Sequence, residues 1–148
     1  MFDFGKANSE QIKAIQHTEG PVLIIAGPGT GKTFTLVKRV VYLISEKKVG
    51  PENILIATFT EKAAKELITR ISNELIKLEI TVNVNELYIG TLHSICLRLI
   101  KENVEFTHLK KNYRLMDDFD QKYLIYRNHR SFDEIENIEL ISDTVKPW

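Results

Sequence analysis

The chain has 148 residues, 43% hydrophobic and 27% charged, the balance of a globular protein with room for one core and hardly for two. Its 20 basic and 20 acidic residues leave no net charge, so a nucleic-acid site would have to be a local patch rather than a global field. A single cysteine, Cys96, excludes an internal disulfide framework and a thiolate zinc cluster, and no apolar stretch reaches membrane-spanning length.

The start, Met1-Phe2-Asp3-Phe4, lacks the basic opening of a secretory signal, so a cytoplasmic protein without membrane contact is expected. Residues 4–18 read as a short helix, with Asn8 or Ser9 as N-cap and Ile12, Ile15 and Gln16 at helical spacing. Gly20-Pro21 ends it. Val22-Leu23-Ile24-Ile25-Ala26 has the continuous apolar character of a strand buried on both faces. Residues 34–46 predict a helix that is apolar over more than half its circumference (Leu36, Val37, Val40, Val41, Leu43, Ile44), packed on a sheet and on a neighbour. It stops near Gly50-Pro51.

Residues 54–58 are a second buried-strand candidate. A cleanly amphipathic helix over residues 61–78 follows, with Ala64, Leu67, Ile68, Ile71, Leu75 and Leu78 in one stripe. Glu61–Lys65 and Glu66–Arg70 are i,i+4 pairs on its wet side. Residues 79–86 alternate in polarity and are compatible with strand or loop. Residues 87–91 predict a third strand, and a helix over 92–103 is expected to bury Leu92, Ile95, Cys96, Leu99 and Ile100. Strand and helix alternating three times is the signature of an α/β fold with a parallel sheet. From Glu105 the texture changes. Lys110-Lys111-Asn112-Tyr113-Arg114 is basic and polar, and residues 117–129 read as a helix with Phe119, Tyr123, Leu124 and Tyr126 on its apolar side. Residues 131–141 could form one more short helix, so the tail is a helical annex.

The chemistry concentrates in Ala26-Gly27-Pro28-Gly29-Thr30-Gly31-Lys32-Thr33, which matches the phosphate-binding loop pattern known as Walker A. Glycines let the backbone turn tightly and aim successive N–H groups inward, at the positive end of the helix that begins by Phe34. Lys32 is placed to reach the β- and γ-phosphates, and the Thr33 hydroxyl to ligate Mg²⁺; these two are the candidate catalytic residues. Pro28 has no N–H, so the cradle falls to Gly29, Thr30, Gly31, Lys32 and Thr33. Arg39 follows Lys32 by two helical turns on the same face, where a guanidinium can stack on a base or simply remain solvated.

Three further stretches, together with this loop, resemble the N-terminal motor domain of UvrD/Rep/PcrA-type superfamily 1 DNA helicases. Asn8-Ser9-Glu10-Gln11 followed by Ala14-Ile15 is similar to the family's Q motif, which implies that the Gln11 carboxamide recognises adenine. Thr58-Phe59-Thr60-Glu61-Lys62-Ala63-Ala64 is similar to motif Ia, with Glu61 where the family usually has Asn. Gly90-Thr91-Leu92-His93-Ser94 resembles motif Ib. The resemblance implies a truncated RecA-like P-loop fold over residues 1–104 and the start of a helical accessory subdomain over 105–148. It implies ATP and Mg²⁺ as cofactors, held by Gln11, the loop from Ala26 to Thr33, Phe34 and Arg39. It also implies contacts to single-stranded or duplex DNA through Thr58, Phe59, Thr60, Lys62, Thr91 and His93, with 3′-to-5′ movement. The structural alternatives are that Thr60 only caps a helix, Phe59 packs in the core and His93 is an ordinary surface residue.

The acidic Asp-Glu motif that completes an ATP site in these helicases does not follow any buried strand here; Asp133-Glu134 sits in the polar tail. The chain is therefore expected to need the remaining helicase domains as partners, to bind ATP weakly and not to unwind DNA alone. A strand at residues 22–26 without its acidic-motif neighbour would present an apolar edge prone to self-association. The alternatives are a helicase–nuclease subunit, a non-motor nucleotide- or DNA-binding module, and another phosphate-loop enzyme such as a kinase.

Overall fold

The computed structural model describes residues 2–128. Four of its helices open on a side-chain cap. In α1 (Ser9–Gln16), Asn8 Oδ1 accepts from the Gln11 amide at 2.9 Å and Gln11 Oε1 accepts from the Asn8 amide at 3.0 Å, a reciprocal capping box. The other three are α3 (Glu61–Lys77), capped by Thr60, α4 (Leu92–Glu102), capped by Thr91, and α5 (Asp118–Arg127), capped by Asp117. Each cap is worth about 1 kcal/mol. The exception is α2 (Lys32–Ser45), whose cap position is Gly31 and whose first amides receive no side-chain cap.

β1 (Leu55–Thr58) and β2 (Tyr88–Thr91) pair in parallel, with Leu55 opposite Tyr88, Thr58 opposite Thr91, and α3 as the crossover between them. Ile56 points into the core while Leu55 is 56% exposed, so the sheet is covered on one face and not on both, as had been expected for residues 54–58. The core joins Val37, Val40, Val41 and Ile44 of α2 to Leu67, Ile71 and Leu75 of α3, with Ile15, Ile54, Ile56 and Leu87 at its rim. Burying each such aliphatic side chain contributes about 1.5–3 kcal/mol. Phe2 packs edge-on against Phe4 and Tyr42, closing the end of α2.

Arg98 fastens α4 to the start of β2. Its guanidinium lies 4.2 Å from the Tyr88 ring centroid, its Nη1 donates to the Leu87 carbonyl at 2.9 Å, and its Nε donates to Glu102 at 2.7 Å. The Tyr88 hydroxyl donates to the other Glu102 oxygen at 2.6 Å. That bond, and then the one from Arg98, holds the Glu102 carboxyl below the usual carboxylate range.

Several expectations need correction. Residues 22–26 form no strand: Leu23 is 85% and Ile25 90% exposed, and no described group accepts or donates a backbone hydrogen bond along residues 22–25. A strand exists only through its neighbours, and none among the described residues lies beside this run. Cys96 is exposed rather than in the core, as are Leu92 and Leu99; only Ile95 of the predicted α4 stripe is buried. Residues 79–86 resolve as loop ending in the short 3₁₀ turn Val84–Glu86. The Glu66–Arg70 pair forms, whereas Glu61 turns to Thr91 instead of Lys65.

The chain divides into two compact units after Asn103. The second carries α5, where Phe119 and Tyr123 stack with ring centroids 6.4 Å apart and Arg114 pairs with Asp120. The apolar side expected for this helix stays exposed, Phe119 at 74% and Tyr126 at 55%. The helix expected over residues 131–141 and the Asp133-Glu134 pair lie outside the described residues.

Between α2 and α3, Glu74 takes Lys77 at 2.6 Å and Lys38 at 2.9 Å. The hydrogen bonds from Lys77 and then Lys38 hold its carboxyl below the usual range, so its contribution is present at neutral pH and is lost as acid carries the pH down through the folded value. Urea unfolding from neutral pH into acid should show stability falling less steeply in Glu74→Gln than in the parent chain. Parallel pH curves for the two would contradict this role.

Candidate phosphate-binding loop

The start of α2 is a helix end with its donors free. Gly31, at φ 85°, and Gly29, at φ 75°, take the left-handed conformation that turns the loop back on itself. The amides of Gly29, Thr30, Gly31, Lys32 and Thr33 donate to no described group, while the first bond of the helix runs from the Thr35 amide to the Gly31 carbonyl at 2.9 Å. The buried Thr35 hydroxyl bonds the same carbonyl at 3.1 Å and Thr30 Oγ1 donates to the Gly27 carbonyl at 2.8 Å, which tighten the turn from both sides. Lys32 curls back, its Nζ donating to the carbonyls of Gly27 at 2.6 Å and Ala26 at 3.2 Å.

Two long side chains tie this loop and helix to α1. Gln11 Nε2 donates to the Thr30 carbonyl at 2.9 Å, and Arg39 Nη1 donates to the Ala14 carbonyl. The carboxamide of Gln11 thus serves the capping box with its oxygen and the loop with its nitrogen. A cleft of about 400 Å³ opens between these elements, and its lining brings together Gln11, Ala26, Gly27, Thr30, Lys32 and Arg39. Ala14, Ile24 and Leu36 add apolar wall and Glu10 a carboxylate; of these, the sequence did not mark Ile24 or Leu36 for the site. The only signal for those two is position, Ile24 just before the loop and Leu36 one turn into α2. Phe34 lines a different cleft, with Lys38, Arg70 and Glu74.

The donor set fits a phosphate chain: five free amides at the positive end of a 14-residue helix, an ammonium that can swing out of the loop, and no carboxylate in the loop itself. The Thr33 hydroxyl is exposed and has no described partner, and a neutral oxygen of that kind suits Mg²⁺.

The second set of predicted residues sits where the two strands end. Thr60 caps α3 through the Ala63 amide at 3.2 Å, and Thr91 caps α4 through the Ser94 amide at 3.2 Å. Thr58 Oγ1 donates to the Thr60 carbonyl at 3.0 Å. Phe59 is fully exposed, which removes the core-packing alternative for it, and Lys62 and His93 are exposed as well. Gly90 is held against Ser94, whose hydroxyl would lie 2.3 Å from an added Cβ.

At Gly31 an added Cβ would lie 2.9 Å from Gln11 Nε2, besides the left-handed strain of about 1–2 kcal/mol. Gly31→Ala should therefore destabilise by more than that strain in urea unfolding, and the excess should vanish in a Gln11→Ala background. Strict additivity of the two substitutions would show that Gln11 does not brace the loop.

A family model described as the UvrD/REP helicase N-terminal domain matches residues 7–144. The chain is 43% identical over 118 residues to the ATP-dependent DNA helicase PcrA of Staphylococcus epidermidis strain RP62A, covering 80% of this chain and 16% of that protein. It is 40% identical over 118 residues, with the same coverage, to the ATP-dependent DNA helicase PcrA of Staphylococcus aureus strain COL. The matched region thus spans 16% of the length of these relatives.

Proposed function

Since this chain belongs to the UvrD/REP helicase N-terminal domain family, we propose that it forms one wall of the ATP site of a DNA helicase or translocase. The observation that carries the nucleotide reading is the uncapped start of α2, where among the described residues five amides have no acceptor and Lys32 bonds only backbone carbonyls. In this reading the amides of Gly29 to Thr33 receive the β- and γ-phosphates. Lys32 leaves its two carbonyl partners to pair with them, and Thr33 gives its hydroxyl to Mg²⁺. Bound Mg²⁺ supplies charge neutralisation across the phosphates. The base lies in the cleft beside Gln11 and Arg39, which can donate to it or stack on it. Single-stranded DNA lies across the strand ends, touching Thr58, Phe59, Thr60, Lys62, Thr91 and His93, with Phe59 as a stacking platform. By family resemblance the direction of travel is 3′ to 5′.

The described residues supply phosphate donors but no acidic motif beside the loop to orient water, so the remaining helicase domains complete the site. A fluorescent ATP analogue should bind this chain weakly, and Lys32→Ala should weaken that binding by about tenfold or more, as expected for loss of a charged phosphate contact. No DNA-stimulated hydrolysis near the ordinary enzyme range of roughly 1–10³ per second should appear. Brisk turnover that Lys32→Ala abolishes would refute the division of labour. A well-folded sample indifferent to single-stranded DNA at low salt would favour another phosphate-loop enzyme.

Self-association follows from the same incompleteness. Leu23 and Ile25 are bare and the backbone of residues 22–25 has no described partner, a template for pairing with a second copy. Light scattering should find concentration-dependent association that Leu23→Lys with Ile25→Lys suppresses. A strict monomer in the parent chain would count against it.

A further inference from the structure

The two strands end level, Thr58 beside Thr91, so α3 and α4 start next to each other at the carboxyl end of the sheet. A carboxylate stands between those starts. Thr91 Oγ1 donates to Glu61 Oε1 at 3.1 Å while accepting from the Ser94 amide, so Glu61, the first residue of α3, reaches across to the cap of α4. Among the described residues no cation pairs with Glu61, and Lys65, one turn away, does not neutralise it. Its neighbours Phe59, Thr60 and Lys62 are all exposed, so a strand lying on them passes this charge without shielding from bulk protein.

We propose that Glu61 sets the DNA affinity of this surface by charge: it is a negative determinant that keeps binding at the strand ends weak. The proposal rests on the reading of residues 58–62 and 91–93 as the DNA-facing surface. The physical reasoning is direct. A polymer phosphate drawn to Thr60 and Thr91 must either displace the Glu61 carboxylate from Thr91 or sit within several ångströms of a full like charge. Thr91 can offer its hydroxyl hydrogen to one acceptor at a time, and two already lie 3.1 Å away, Glu61 Oε1 and Ser94 Oγ, of which Glu61 carries the charge. At such separations, on a surface wet enough for the dielectric to approach that of bulk water, one like charge lowers affinity by about three- to tenfold. The penalty is exposed, so salt screens it.

Anisotropy titration of a labelled oligothymidylate at two salt concentrations separates the outcomes, using the parent chain, Glu61→Gln, Glu61→Ala and the control Glu66→Gln. Glu66 is a carboxylate on the same helix already paired with Arg70. Glu61→Gln keeps an acceptor for Thr91 and removes only the charge; Glu61→Ala removes both. Both Glu61 variants should bind about three- to tenfold tighter at low salt, the gain should shrink at high salt, and Glu66→Gln should change affinity less than about twofold. Unchanged or weaker binding by Glu61→Gln overturns the proposal, as does tightening equal to that of Glu66→Gln. Weaker binding by Glu61→Ala alone would mean that Glu61 merely positions Thr91, and also overturns it. If none of the four proteins binds, the DNA-facing reading falls together with this inference; equal binding by all four sinks the inference alone.

Discussion

The hydrogen bond from Gln11 Nε2 to the Thr30 carbonyl joins two elements that no sheet among the described residues holds together. In a phosphate-loop protein the loop is usually steadied by the strand that leads into it. Here residues 22–26 have no ladder, and the loop is steadied from the helical side. α1 packs on α2, Arg39 reaches back to the Ala14 carbonyl, and Gln11 spans from its own cap to the loop. One side chain thereby links helix initiation, loop shape and the wall of the cleft beside the loop. Gly31 makes this approach feasible, because a methyl group there would press on the Gln11 nitrogen.

The second organising constraint is the register of β1 on β2. Parallel pairing brings two strand ends level, and each strand feeds directly into a helix capped by a threonine. Thr60 and Thr91 therefore serve folding and surface chemistry at once. Their side chains satisfy helix amides, while the adjacent Phe59 and His93 are left outside the core. Phe59 is fully exposed at the strand end, so its ring is open to a partner from solvent.

Much of this was legible in the residues. The Asn8 cap, the stripe of α3 and the glycine-lysine-threonine loop are local patterns, set by periodicity and by which residues can cap or turn. The failures are of another kind. The run from Val22 to Ala26 looks like a strand, but strand formation needs partners, and no local signal reveals that they are absent among the described residues. Cys96 falls on an apolar helical stripe, yet α4 buries only Ile95, because little packs over it in its own unit. Glu61 has an i,i+4 lysine, yet it chose Thr91, a partner 30 residues away that only the strand register supplies. Phe34 follows the loop in sequence but turns into the α2–α3 groove. The caps, turns and stripes could be read; the pairings across the sheet could not.

In the proposed function, the free amides at the start of α2 are the phosphate donors. Amide chemical shifts followed by NMR during titration with Mg²⁺–ATP test it most directly. The resonances of Gly29, Thr30, Gly31, Lys32 and Thr33 should move together, and their hydrogen exchange should slow. Shifts confined to residues outside the loop and the adjoining cleft, or no response at millimolar nucleotide, would contradict it.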